Sequence, residues 1–162
     1  MKLALENIRS THNVGALMRS AYAFGIDAVV TIGITPHPQE TNDVRLPHVI
    51  AKAEAAITKT ALGGETLFER HYDSSEEFLK ETASQALIAI ELSDNSTLIT
   101  EPMSIPDDAI LILGSETDGV SEAVLSAAAQ TLHIPVDPRK TSLNVAAAGA
   151  VAMYELSMRP RH

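Results

Sequence analysis

Three polar segments of this chain hold residues whose types and spacing suit ligand chemistry. The first is NIRSTHNVGALMRSAYAFG, residues 7–25. On a helix, Val14, Leu17, Met18 and Ala21 share one face at i, i+3, i+4, i+7 spacing, which predicts a core-facing stripe. Arg19 falls roughly 140° from Val14 and so points away from that stripe. Gly15, one turn before Arg19, costs about 1 kcal/mol of helix propensity against alanine; the expectation is that it clears space beside the guanidinium. Asn13 stands at the helix start, either as an ordinary cap or beside free N–H groups that favour an anion. The second segment is LILGSETDGVS, residues 111–121. An apolar strand runs into Gly114, Glu116 and Gly119, then a helix capped by Ser121. Glycines on both sides of a carboxylate suit a tight loop whose backbone approaches a ligand. The third is IPVDPRKTSLNVAAAGAVAMYE, residues 134–155. It places a basic loop before Ser142, Leu143 and Asn144, where a last helix opens on very small side chains suited to close packing.

These segments need a scaffold. Strands are expected at Lys2–Glu6, Asp27–Gly33, Leu67–Tyr72, Ala86–Leu92, Ala109–Leu113 and Thr131–Val136. Helices are expected at about His12–Phe24, Val49–Thr60, Ser74–Ala83, Ser121–Ala129 and Leu143–Met158. Gly25 should stop the first helix, and Ser74 with Glu77 forms a capping box. Residues 34–47 and 93–106 read as loops. Short apolar strands alternating with amphipathic helices predict an α/β fold with a mostly parallel sheet covered on both faces. In such sheets ligands bind beyond the carboxyl ends of the strands, here after Leu92, Leu113 and Val136. No repeat or long linker divides the chain, so it reads as one domain over residues 1–162.

Composition narrows the class. The chain has 162 residues, 45% of them hydrophobic, and no cysteine. That allows a full core and excludes disulfide or thiolate chemistry. No apolar run is long enough to span a bilayer, and a cytoplasmic location with no membrane partner is the simplest expectation. The six histidines show no metal-ligand spacing, so no metal is expected. The net charge of −9 opposes a nucleic-acid partner. Its distribution tempers that: from Glu65 to Glu122 there are fourteen acidic residues and only Arg70 and Lys80 as basic ones. Arg9, Arg19, Arg45, Arg139 and Lys140 lie outside that stretch, in or near the three segments, and are the candidate nucleic-acid contacts. Neither G-x-G-x-x-G nor a P-loop is present.

Together the segments resemble the SpoU–TrmH branch of the SPOUT RNA methyltransferases. Its first motif, N-x-G-x-x-x-R, is matched by Asn13, Gly15 and Arg19. Its second, L-G-x-E-x-x-G-hydrophobic-S, is matched by Leu113, Gly114, Glu116, Gly119, Val120 and Ser121. Its third, I-P then S-L-N-V, is matched by Ile134, Pro135, Ser142, Leu143, Asn144 and Val145. The resemblance implies a C-terminal deep trefoil knot with the cofactor pocket inside residues 86–158, and no separate RNA-binding domain. It implies S-adenosylmethionine held near Glu91, Leu92, Leu113, Gly114, Glu116, Ile134, Leu143 and Asn144. It implies a homodimer with a shared active site, and methyl transfer to a ribose 2′-hydroxyl of tRNA or rRNA. Arg19 would be the central catalytic residue, as general base or as phosphate clamp. Asn13 would position ribose or phosphate, Glu116 would orient Arg19 or a partner group, and Ser142 and Asn144 would support the site. A catalytically idle knotted RNA-binding module and methylation of an RNA base are the alternatives. The chain departs from the family where Ala146–Gly149 follows the third motif and where Val136 stands in place of a frequent methionine.

Overall fold

The computed structural model of the chain describes residues 1–137, 139 and 142–159. In chain order the elements are β1 (Lys2–Glu6), α1 (Thr11–Ala23), β2 (Val29–Ile32), α2 (Pro47–Ala61), a 3₁₀ turn (Gly64–Leu67), β3 (Phe68–Tyr72), α3 (Ser75–Glu81), β4 (Leu87–Ile90), β5 (Thr97–Leu98), β6 (Ile110–Leu113), α4 (Glu122–Ala127), β7 (Gln130–His133) and α5 (Val145–Ser157). The strands form one sheet in the order β3-β2-β1-β6-β4-β7-β5, and each pairing is parallel. The α/β sheet expected from the alternation is therefore present.

Side-chain alternation along the central strands builds two cores. Leu3, Leu5, Leu111 and Leu113 face α1 and α5, meeting Leu17, Met18, Met153 and Leu156. Ala4, Ala89, Ile110 and Ile112 face the other way, meeting Phe78 of α3 and Val124 of α4. The predicted stripe of α1 is buried throughout. Ser10 caps α1 by accepting the Asn13 backbone N–H, and Gly25 ends the turn beyond it at φ 69°. Ser74 caps α3, but Glu77 reaches the Asp73 N–H, one residue before the one a capping box uses.

Two expectations change. The 93–106 loop contains β5, too short to show any alternation; Ile99 and Ile105 beside it are fully buried core residues. Gly15 does not open space beside Arg19. A Cβ there would lie 1.8 Å from Thr60 Oγ1 and 2.7 Å from the Ile57 carbonyl, so Gly15 is the seat on which α2 packs. Gly149 does the same for α5: its Cβ would meet Leu17 and Leu113 side chains at 2.2 and 2.6 Å. The small residues that open the last helix thus bring it close to α1 and β6.

The loop between β2 and α2 is fastened by its own polar groups. Arg45 pairs with Asp43 and donates to the His37 and Pro38 carbonyls at 3.1 and 3.0 Å. Its guanidinium holds the Asp43 carboxyl well below the usual carboxylate range. Arg45, expected among the RNA contacts, is thus spent inside this loop. His37 stacks on His71 with ring centroids 4.1 Å apart, and His71 bonds Thr31 Oγ1. Burial, then the neighbouring His71 and Arg45, pushes the His37 pKa down to about 4, against the Pro38 carbonyl and Glu40. Between about pH 6.5 and about 4 the unfolded chain then binds more protons at this position than the native one, so stability falls as pH drops through that window. Thermal melts at stepped pH should show this slope, and His37→Phe, which keeps the stack, should flatten it relative to wild type.

Candidate functional site

The carboxyl ends of β4, β6 and β7 open into a cavity of about 320 Å³. Its walls come from residues 90–92, 113–119, 133–136 and 142–148, the three loops expected from the sheet topology together with the start of α5. Glu91, Leu92, Leu113, Gly114, Glu116, Ile134, Ser142 and Leu143 all line it. Asn144 stands beside them as the N-cap of α5, its Oδ1 accepting from Ala146 and Ala147 N–H.

Each wall is shaped by local contacts. The loop after β6 is pinched by an antiparallel bridge between Ser115 and Gly119. Gly114 lies flat against it: a Cβ would be 2.1 Å from Gly119 C and Val120 N. Gly119, at φ 71°, would meet the Glu91 carboxylate. That carboxylate accepts the Val120 N–H at 3.0 Å and the Leu92 N–H at 3.1 Å. It therefore ties the β4 loop to the β6 loop across the cavity.

Glu116 makes the longest connection. Its carboxylate accepts Arg9 N–H at 3.0 Å, Ser10 N–H at 3.3 Å and Asn13 Nδ2 at 2.8 Å. Desolvation raises its pKa, but the donors from Arg9, Asn13 and Ser10 outweigh that and leave it below the usual value. The chain thus supplies its own anion to the start of α1, where exposed N–H groups attract one. Asn13 is not the helix cap. Its Oδ1 accepts from Asn144 Nδ2 at 3.3 Å while its Nδ2 donates to Glu116. One residue from each of the three segments is joined in a row, Glu116 to Asn13 to Asn144.

Of the two partners expected of Glu116, Arg19 of its own chain is not the one it meets: it holds Asn13 and the 9–10 backbone. Arg19 is exposed on α1 and does not line the cavity, and among the described residues it makes no hydrogen bond or ion pair. Arg9 is also exposed, 3.9 Å from Asp118. Arg139 is exposed and forks onto Asp137. Lys140 lies outside the described residues. Among the described residues there is no cluster of three possible metal ligands and no helix long and apolar enough to cross a membrane.

Sequence reasoning missed Glu6. It is fully buried at the end of β1. Its carboxylate accepts Ser75 and Ser121 hydroxyls at 2.5 and 2.6 Å and the Ser121 N–H at 2.8 Å. Ser121 is the N-cap of α4, so Glu6 fixes the far end of the site loop. Partners 69 and 115 residues away leave no local signal for it. Glu6→Ala strands three partly buried donors and is expected to cost about 1–3 kcal/mol, read from urea unfolding.

Comparison with known proteins gives a consistent likeness. A family model described as the SpoU rRNA Methylase family matches residues 1–154. The chain is 26% identical over 155 residues to the 23S rRNA (guanosine-2'-O-)-methyltransferase RlmB of Acinetobacter baylyi, covering 94% of this chain and 57% of that protein. It is 30% identical over 160 residues to the RlmB of Coxiella burnetii, covering 95% of this chain and 56% of that one. The chain thus spans little more than half the length of these relatives. Among solved structures, the AdoMet-bound rRNA methyltransferase from Sinorhizobium meliloti superimposes with a TM-score of 0.71 at 22% identity, over 96% of this chain and 54% of that one. That likeness is one of fold.

Proposed function

Because the chain belongs to the SpoU rRNA Methylase family, we propose that it transfers a methyl group from S-adenosylmethionine to a ribose 2′-hydroxyl of tRNA or rRNA in the cytoplasm. The observation that carries this reading is the cavity at the carboxyl edge, walled by the second and third motif segments and fastened to the first through Glu116, Asn13 and Asn144. Its chemistry suits the cofactor. Ile90, Leu92, Leu113, Ile134, Leu143 and Val145 offer apolar surface for an adenine ring. The described charged groups in its wall are the carboxylates of Glu91, Glu116 and Asp118, which favour a ligand of net positive charge. A knotted C-terminal part fits the strand order: β7 enters between β4 and β5 after the chain has already run from one to the other. Arg159, beyond α5, donates to the Ile99 and Glu101 carbonyls of the β5–β6 return.

When bound, S-adenosylmethionine supplies an already activated methyl on a sulfonium. The protein's work is then to align the nucleophile and manage its proton. Glu116, Asn13 and Asn144 act as positioning residues: they lock the cavity loop to α1 and to the cap of α5. Ser142 stands at the mouth, where it can bond a ribose hydroxyl. Arg19 clamps the phosphate beside the target ribose and lowers the barrier to losing its proton by charge.

Arg19 does not line the cavity of its own chain. The reading that reconciles the two is a homodimer in which Arg19 serves the cavity of the second copy. An exposed apolar face supports it. Tyr22 lies one turn beyond Arg19 on α1, and Val151, Tyr154 and Met158 continue on and just after α5, exposed by 44–70%. Phe24 and Tyr154 join the two helices edge to face. Light scattering should give twice the chain mass, and Tyr154→Glu should halve it and abolish transfer. For the activity itself, calorimetry with S-adenosylmethionine should show one site per chain. Radiolabelled transfer to total tRNA and rRNA, followed by digestion to nucleosides, should put label on a 2′-O-methyl ribose. Label on a base, or none, would overturn the reading.

A further inference from the structure

The loop between β2 and α2 leaves the sheet at the same carboxyl edge as the cavity, since β1 pairs in parallel with both β2 and β6. β2 lies two strands from β6, about 10 Å at the usual strand spacing. Ile34, at the start of the loop, lies beside Ser115, Asp118 and Gly119, which also line the cavity. Further along, Val44 is 97% exposed, Leu46 62% and Val49 41%, and Pro47 is exposed between them. We propose that residues 44–52 form a docking surface for single-stranded RNA. Val44, Leu46 and Pro47 pack on an unstacked base near the target ribose, and Lys52, with His48 one turn before it, holds a neighbouring phosphate. The proposal rests on the methyl-transfer reading and supplies the local grip that a chain of net charge −9 needs.

The loop is fastened from behind. Arg45 engages Asp43 and the His37 and Pro38 carbonyls. Glu54 accepts the Gln39 N–H at 3.2 Å, and Glu40 accepts the His71 N–H at 3.1 Å. His37 stacks on His71 and on Phe68. None of these ties uses the Val44 or Leu46 side chain. A valine left so exposed contributes almost nothing to folding by burial. A loop held in advance also loses little freedom when it binds.

Charge selects the partner. Residues 44–53 include Arg45, His48 and Lys52 and no carboxylate. The flanking acids are occupied: the Asp43 side chain is 3% exposed and paired with Arg45, and Glu54 holds Gln39. An apolar and cationic face on an acidic chain suits a nucleic acid. Leucine and proline are among the side chains that wedge against base steps. A protein partner matches the patch less well, because a stable interface takes roughly 20–30 residues a side and is poor in lysine. Duplex RNA also matches it less well: it presents phosphates and riboses but no free base face.

The test uses the full chain saturated with S-adenosylhomocysteine. The probes are a mixed-sequence single-stranded RNA and the same strand annealed to its complement. The wild-type chain is expected to prefer the single strand. The double variant Val44→Ser, Leu46→Ser should lose at least fivefold in affinity for the single strand and less than twofold for the duplex. Both side chains are exposed, so the variant should melt like wild type. Lys52→Gln should weaken both probes and lower the salt slope on the single strand by about 0.7. S-adenosylhomocysteine affinity should stay within twofold in each variant, since none of these residues lines the cavity. No loss on the single strand, an equal loss on both probes, or an unchanged salt slope for Lys52→Gln would each overturn the proposal. So would a lower mass of the double variant in light scattering, the sign of a contact between protein copies. If S-adenosylhomocysteine fails to bind, the methyl-transfer reading fails, and the single-strand preference at Val44 and Leu46, measured without it, still decides this one.

Discussion

Arg19→Ala is expected to lower methyl transfer by ~10²–10³-fold while S-adenosylmethionine affinity stays within about twofold, the pattern of a group that acts on the transition state and not on cofactor binding. The side chain is exposed and makes no hydrogen bond or ion pair among the described residues, so the variant should melt like wild type. The same residue offers a decisive test of a shared site. Chains carrying Arg19→Ala, mixed with chains carrying Leu143→Glu to block the cavity, form some mixed dimers. In those, the one open cavity faces the one intact Arg19 only if Arg19 works across the interface. Recovery of activity on mixing, from two inactive variants, supports that arrangement. No recovery, with mixed dimers present, places Arg19 in its own chain's site and removes the case for trans action.

Gly114→Ala should have the larger effect on binding. The added methyl would sit 2.1–2.2 Å from Gly119 and Val120 backbone atoms, and none of these is the end of a flexible side chain. The bridged loop must move outward, which breaks the Glu91 bond to Val120 and the wall it makes. The expected result is a loss of cofactor affinity of at least tenfold together with about 1–3 kcal/mol of stability, as for other overpacked positions. Calorimetry and urea unfolding on the same variant separate the two. Unchanged affinity would mean that this loop does not frame the ligand.

How far the sequence reveals this site depends on whether a residue acts locally. The stripe of Val14, Leu17, Met18 and Ala21, the stop at Gly25 and the Ser121 cap were readable because helix periodicity and capping need only near neighbours. The second and third motif segments were readable as ligand loops because strand ends in a parallel sheet collect on one edge. The partners were not readable. Gly15 looked like a gap for a ligand and is filled by Thr60, whose approach depends on how α2 packs. Asn13 looked like a cap and is a link between Glu116 and Asn144. Arg45 looked like a free cation and is consumed by Asp43 and two carbonyls. Glu6 and Glu91 drew no notice as clamps, because their partners were set by the fold and not by spacing. β5 is two residues long, below the length at which alternation means anything.

The row from Glu116 through Asn13 to Asn144 also has a consequence in time. Asn13 and Asn144 are 131 residues apart, and the row that fastens the cavity loop joins both ends of that span. During synthesis the first strand, the first helix and the first motif leave the ribosome long before the residues that complete them. A nascent chain truncated before α5 should therefore hold most of the sheet yet have no grip on the cofactor. Cofactor capture by a growing chain would switch on late, over the last few residues that cap and start the final helix.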